Sequence, residues 1–260
     1  MREVRQAAVE RRVRRRRSLR RGFFALVVVA IVIAVIALVS AKPAGKENAG
    51  STTTTTAASS TTTTTTSASA AIAPTCPPAG GSATRHTQFT AAPPVCIDES
   101  ATYTATVETD LGTFVITMDA AKSPAAVNNF VFLARYHYYD GTTFFRVIND
   151  NILQGGSWTN TDSGSPGYSF TGNTPSGCTN DCYPIGSVAT ANSGTPSTNG
   201  SQFFIVEGAD GTSYPADYTL FGTVTSGMSV VQAIAADANP SNAYAPKVVH
   251  HIIKVTITQT

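Results

Sequence analysis

Between about Ser100 and Thr260 the apolar residues fall into short runs rich in β-branched side chains, broken by Gly, Asn, Asp and Ser. Seven of these runs read as strands: Thr102–Glu108, Gly112–Met118, Phe144–Ile148, Ser187–Ala191, Gln202–Val206, Thr219–Val224 and Val248–Thr258. Two stretches switch to helical spacing. The first opens at Ser123 with Pro124 in its first turn, carries Val127, Phe130, Val131 and Ala134 on one face, and is stopped by Gly141. The second, near Met228 to Asp237, sets Val230, Val231 and Ile234 on one face. Many short strands with only two helices predict a β-barrel or sandwich, not a βαβ fold. Residues 100–260 are enough for one domain around one core.

Upstream the pattern changes completely. Phe23 to Ala41 is nineteen residues without a charge, dominated by Val, Ile, Ala and Leu. At about 1.5 Å per residue this nearly spans a hydrocarbon core of about 30 Å, so a single transmembrane helix is expected over 23–41. Val39-Ser40-Ala41 also resembles a signal-peptide cleavage site, but nineteen residues exceed the usual apolar region of a signal. Residues 42–75 are mostly Ser, Thr, Ala and Gly, with pure threonine runs at Thr52 to Thr56 and Thr61 to Thr66, and read as a disordered stalk. Residues 76–99 form a Pro-containing transition with Cys76 and Cys96.

Charge then sets the orientation. Of the eighteen basic residues, ten lie in residues 2–21 against only Glu3 and Glu10, so the head within residues 1–22 carries +8 and the remainder −6. The basic head beside the apolar span predicts a cytoplasmic N-terminus and an extracytoplasmic C-terminal domain at the cell membrane. The same split excludes a nucleic-acid partner for the acidic folded part. All four cysteines then face an oxidising compartment, which favours two disulfides. Order in sequence favours Cys76 with Cys96 and Cys178 with Cys182. Zinc is the weaker reading, because only one close cysteine doublet exists.

Hydrolytic and nucleotide chemistry find no support. No nucleophile elbow accompanies His86, His137, His250 or His251, and no glycine pattern follows a strand and opens a helix. The informative segments are Ser123-Pro124 with Val127-Asn128-Asn129-Phe130; Tyr138 to Ile148; Gln154-Gly155-Gly156; and Asn199 to Ile205. Together with Tyr218 to Gly222 and Gly227 to Val231, these resemble the cyclophilin family of peptidyl-prolyl isomerases, in a bacterial membrane-anchored form. The resemblance runs in family order from about Thr102 to Thr258. It implies an eight-stranded antiparallel barrel capped by two helices, proline-containing polypeptide clients, and neither cofactor nor metal.

An X-Pro bond isomerises slowly because rotation breaks amide resonance, a barrier of about 18 to 20 kcal/mol. No covalent bond has to break. A catalyst needs an apolar hollow for the proline ring, a donor to the prolyl nitrogen, and polar groups on the rotating carbonyl. The resemblance implies that Arg146 is the donor and that Gln154 binds the carbonyl. It further implies that Ala191, Asn192 and Ser193, with Gln202, hold the peptide backbone, and that Ile152, Phe204, Tyr214 and Tyr218 line the proline pocket. Phe145 stands for the histidine that usually precedes the arginine, and Asn151 for a pocket phenylalanine. Asn151 thus supports the alternative of a weakly active scaffold that only binds proline-containing segments. Ser213 replaces a tryptophan important for cyclosporin in some members, so cyclosporin binding is not implied.

Overall fold

The computed structural model describes residues 70–178 and 181–260. The expected head, membrane span and most of the stalk fall outside them. Among the described residues no helix is long and apolar enough to cross a membrane.

Nine strands form one sheet: β1 Tyr103–Thr109, β2 Gly112–Met118, β3 Thr142–Thr143, β4 Arg146–Ile148, β5 Ile152–Gly155, β6 Ser187–Thr190, β7 Phe203–Val206, β8 Leu220–Ser226 and β9 His251–Gln259. Helix α1 spans Pro124–Arg135 and α2 spans Met228–Ala236. The sheet order is β3-β9-β1-β2-β8-β6-β7-β5-β4, with every pairing antiparallel. Strands β3 and β4 therefore sit at opposite ends of that order, yet only Phe144 and Phe145 separate them in the chain. Three peptide steps reach no more than about 11 Å. The sheet must curl until its two edges meet, so it is a barrel closed by the chain itself.

This closure corrects two expectations. Phe144–Ile148 is not one strand: Thr142 and Thr143 pair with β9, while Arg146 to Ile148 pair with β5. With Ile152–Gly155 as a strand of its own, the count is nine and not eight. Helix α1 ends at Arg135, six residues before Gly141, because His137 turns into the left-handed region at φ 56°. Gly141, with φ 74°, serves instead to start β3, its N–H donating to the Ile252 carbonyl at 2.8 Å.

Period-two alternation builds the core. Tyr103, Ala105 and Val107 of β1 and Phe114, Ile116 and Met118 of β2 point inward, where Phe130 of α1 stacks on Tyr139 at 4.8 Å. Each of Val107, Phe114, Ile116 and Met118, buried in this way, contributes roughly 1.5–3 kcal/mol. Helix α1 is buried on every side from Ala126 to Arg135, which one sheet face cannot achieve. Residues 72–97 supply the second cover. Phe89 packs on Phe132 at 4.8 Å and on Tyr136 at 5.2 Å, Ile72 bridges to Phe89, and Asn128 Nδ2 donates to the Pro94 carbonyl. The expected transition segment is thus part of the folded body. Both disulfides pair as anticipated: Cys76 with Cys96 and Cys178 with Cys182.

His250, on the stretch leading into β9, latches three elements. Its two ring nitrogens meet Asp110 of the β1–β2 turn at 2.8 Å and Asp237 after α2 at 2.9 Å. Burial alone would lower its pKa, but the hydrogen bonds to Asp237 and Asp110 raise it overall. A raised folded pKa adds stability that is fully present below the unfolded value of about 6.5 and is lost as pH climbs through the folded value. His250→Gln should therefore lower Tm by about 3 °C near pH 5, equivalent to roughly 1 kcal/mol, and by clearly less near pH 9. Thermal unfolding of both proteins across pH checks this, and an equal Tm deficit at both pH values would refute the charged latch.

Candidate active site

The faces of β5 and β7 divide the molecule into core and site. Leu153, Phe203 and Ile205 enter the main core, while Ile152, Phe204 and Val206 point the other way. Around Phe204 a second apolar cluster gathers, with Tyr183 beneath and Tyr214 and Tyr218 beside it. Phe204 meets Tyr218 edge-on at 5.1 Å and Tyr214 at 5.9 Å, geometries that favour aromatic pairs. The Tyr183 hydroxyl donates to the Tyr218 carbonyl at 2.8 Å and accepts from the Tyr218 N–H at 3.0 Å, fixing that wall from below. Burial pushes the Tyr183 phenol up to about 12 and raises Tyr218, so the hollow stays uncharged at neutral pH.

This cluster floors a cleft of about 650 Å³. Register explains its polar rim: Arg146 of β4 lies opposite Gln154 of β5, and Gln154 lies opposite Phe204 of β7. Arg146 Nη1 donates to Gln154 Oε1 at 3.0 Å, and Gln154 Nε2 donates to Gln202 Oε1 at 3.0 Å. Gln202 Nε2 in turn donates to the carbonyls of Asp162 and Gly164 at 2.8 and 3.0 Å. All the bonds in this row point the same way. Arg146 Nε is buried and has no hydrogen-bond partner among the described residues. Among the described residues no carboxylate pairs with Arg146.

Ten anticipated residues line this cleft: Arg146, Ile152, Gln154, Ala191, Asn192, Ser193, Gln202, Phe204, Tyr214 and Tyr218. Asn192 spends its side chain on structure, donating to the Asp217 carbonyl and accepting from the Gly194 N–H. Two anticipated residues do not line it. Phe145 is buried in the link between β3 and β4, where the barrel closes. Asn151 sits in the β4–β5 turn, where its N–H is held by Glu207 Oε1 at 2.8 Å and its carbonyl by the Glu207 N–H at 3.0 Å. That clamp keeps it off the cleft, and the tyrosines supply the aromatic walls.

Other lining residues carried no sequence signal. Asp162 to Ser165, Tyr168 and Tyr244 come from loops whose composition says nothing of their destination. Tyr168 is tied to α1 through Asn129, whose Oδ1 accepts from its hydroxyl at 2.7 Å while its Nδ2 donates to the Gly200 carbonyl. Asn199, which opens a glycosylation sequon, is fully buried and bonded to Thr190, Pro196 and Thr219, so it is a structural strut. Gly156, at φ 81°, lets β5 approach β7: a Cβ there would lie 2.6 Å from the Ser201 carbonyl oxygen. Among the described residues no cluster of three or more His, Cys, Asp or Glu is arranged to hold a metal ion.

Comparison with known proteins agrees with this geometry. The family model described as cyclophilin type peptidyl-prolyl cis-trans isomerase/CLD matches residues 104–257. A peptidyl-prolyl cis-trans isomerase of Arabidopsis thaliana is 38% identical over 134 residues, covering 50% of this chain and 79% of that protein. The human peptidyl-prolyl cis-trans isomerase-like 1 is 34% identical over 145 residues, covering 49% and 76%. A cyclophilin-type isomerase of Cryptosporidium parvum, crystallised in the presence of the dipeptide Ala-Pro, superposes with a TM-score of 0.53 at 26% identity, covering 60% of this chain and 99% of that one. With its barrel, its apolar hollow and its row of amide and guanidinium donors, the chain belongs to the cyclophilin-type peptidyl-prolyl cis-trans isomerases.

Proposed function

We propose that this isomerase acts on X-Pro bonds of exported polypeptides, held at the outer face of a cell membrane by the apolar span 23–41 and the threonine-rich stalk. The carrying observation for the chemistry is the one-way row from Arg146 through Gln154 to Gln202 along the rim of an uncharged aromatic hollow. In this reading the proline ring packs on Phe204 between Ile152, Tyr214 and Tyr218. The Arg146 guanidinium donates to the prolyl nitrogen as its lone pair leaves amide resonance. Gln154 holds the carbonyl that swings, and the backbone at Asn192 holds the flanking peptide. The lone pair becomes a good acceptor only in the twisted state, so the donor stabilises the transition state more than the planar ground state. The similar Cryptosporidium parvum structure was determined in the presence of the dipeptide Ala-Pro.

Two features support the location. The basic head before the span follows the positive-inside rule, and both disulfides suit an oxidising compartment. Neither cofactor nor metal enters the mechanism.

Three outcomes are expected. Arg146→Ala should lower kcat/KM for an X-Pro tetrapeptide by roughly 10²- to 10³-fold without a change in Tm, the scale seen when one donor to developing charge is removed. Peptide binding measured alongside distinguishes this from the scaffold reading, in which the parent protein binds but does not accelerate isomerisation. Tyr214→Ala should raise KM and lower kcat/KM about tenfold, since roughly 40 to 60 Å² of lost apolar contact is about 1 to 1.5 kcal/mol. Protease added outside intact cells should release a folded fragment that begins within the stalk; a C-terminal domain that stays protected would overturn the topology.

A further inference from the structure

Tyr244 stands in the loop between α2 and β9, far in sequence from every other residue of the cleft, yet it lines the cleft beside Arg146. Its ring centroid lies 5.5 Å from Arg146 Cζ, within the range at which a cation is attracted to an aromatic face. The placement is built and not incidental. The Val147 N–H, next in the chain to Arg146, donates to the Ala243 carbonyl at 2.9 Å, tying the loop to the edge strand that carries the arginine. The Tyr244 N–H donates to Asn242 Oδ1 at 3.1 Å, and the Ala245 N–H to the Asn242 carbonyl at 3.1 Å, so a tight turn at Asn242 sets the ring's direction.

We propose that Tyr244 is a positioning residue for Arg146, holding the guanidinium by its ring face against the wall of the cleft. The inference rests on Arg146 being the donor to the prolyl nitrogen. Arg146 is only half-buried, and a long side chain fixed at Nη1 alone can still swing about that bond toward solvent. A second restraint is needed. A carboxylate would supply one, but it would also cancel the positive charge that polarises the amide. A ring face and an amide oxygen restrain the guanidinium while leaving its net charge uncompensated. Tyr244 is 54% exposed and its hydroxyl makes no hydrogen bond among the described residues, so the ring carries the role.

The test compares Tyr244→Leu and Tyr244→Phe with the parent protein in a tetrapeptide isomerisation assay, with Arg146→Ala as reference and Tm measured for each. Tyr244→Leu should lower kcat about five- to tenfold at unchanged KM and Tm, the loss equivalent to one cation–π contact in a partly desolvated site. Tyr244→Phe should restore kcat to within about twofold of the parent, because the ring face is kept. If Arg146→Ala is inactive but Tyr244→Leu keeps full kcat, the positioning role is overturned while the site assignment stands. A rise in KM at constant kcat would overturn it too, by making the ring a mere wall for substrate. A Tyr244→Phe variant as slow as Tyr244→Leu would do the same, and an active Arg146→Ala would remove the site assignment itself.

Discussion

Two residues, Phe144 and Phe145, join the opposite edges of a nine-stranded sheet, and the geometry of the whole domain depends on that short link. Because the chain cannot stretch more than about 11 Å across it, the sheet has to curl into a barrel. Phe144 fills the closing interior, and the next strand begins at Arg146. Closure thus delivers the guanidinium to the edge of β4, in register with Gln154 and one strand away from Phe204. Core and site are consequences of one constraint, with the core on the inner face of β5 and β7 and the cleft on the outer.

The cleft holds one positive charge, that of Arg146, with which no carboxylate among the described residues pairs, although Asp162 also lines the cleft. Its aromatic floor is Phe204 with Tyr214, Tyr183 and Tyr218, the phenols of the last two raised by burial, and the groups in register with Arg146 are amides. Such an arrangement suits a reaction in which no proton is transferred and no bond is made. What changes on rotation is the availability of a lone pair on nitrogen, and a fixed, permanently charged donor responds to that change without itself reorganising. The cluster of buried His250 with the more exposed Asp110 and Asp237 lies in the separate latch between the β1–β2 turn, α2 and β9. Titration there acts on the fold.

Residues 72–97 show how a segment poor in regular structure becomes part of the fold. With Phe89 and Ile72 over α1, and the Cys76–Cys96 disulfide closing the segment on itself, the helix is sealed on its outer side. Asn128 and Asn129, adjacent on that helix, face different loops: the first holds Pro94 and Cys96, the second Tyr168 and Gly200. One helix turn therefore couples the outer cover to the rim of the cleft.

The sequence by itself determined the elements and most of the chemistry. Runs rich in β-branched residues marked seven strands, Pro124 and the 3.6 spacing marked α1, and the family resemblance implied ten residues that do line one cleft, five of them in the segments from Tyr138 to Gly156 and from Asn199 to Ile205. These are local signals, carried by side chains whose neighbours in the chain fix their direction. Tertiary structure alone decided the rest. The break at Phe144–Phe145 carries no turn residue to mark it and arises because the two halves pair with strands at opposite edges. Asn151 holds a family pocket position in sequence but is drawn off the cleft by Glu207, and Tyr244 reaches Arg146 from a loop that shares no pattern with it. Both depend on contacts between residues 56 and 98 positions apart, which a reading of neighbours along the chain does not contain.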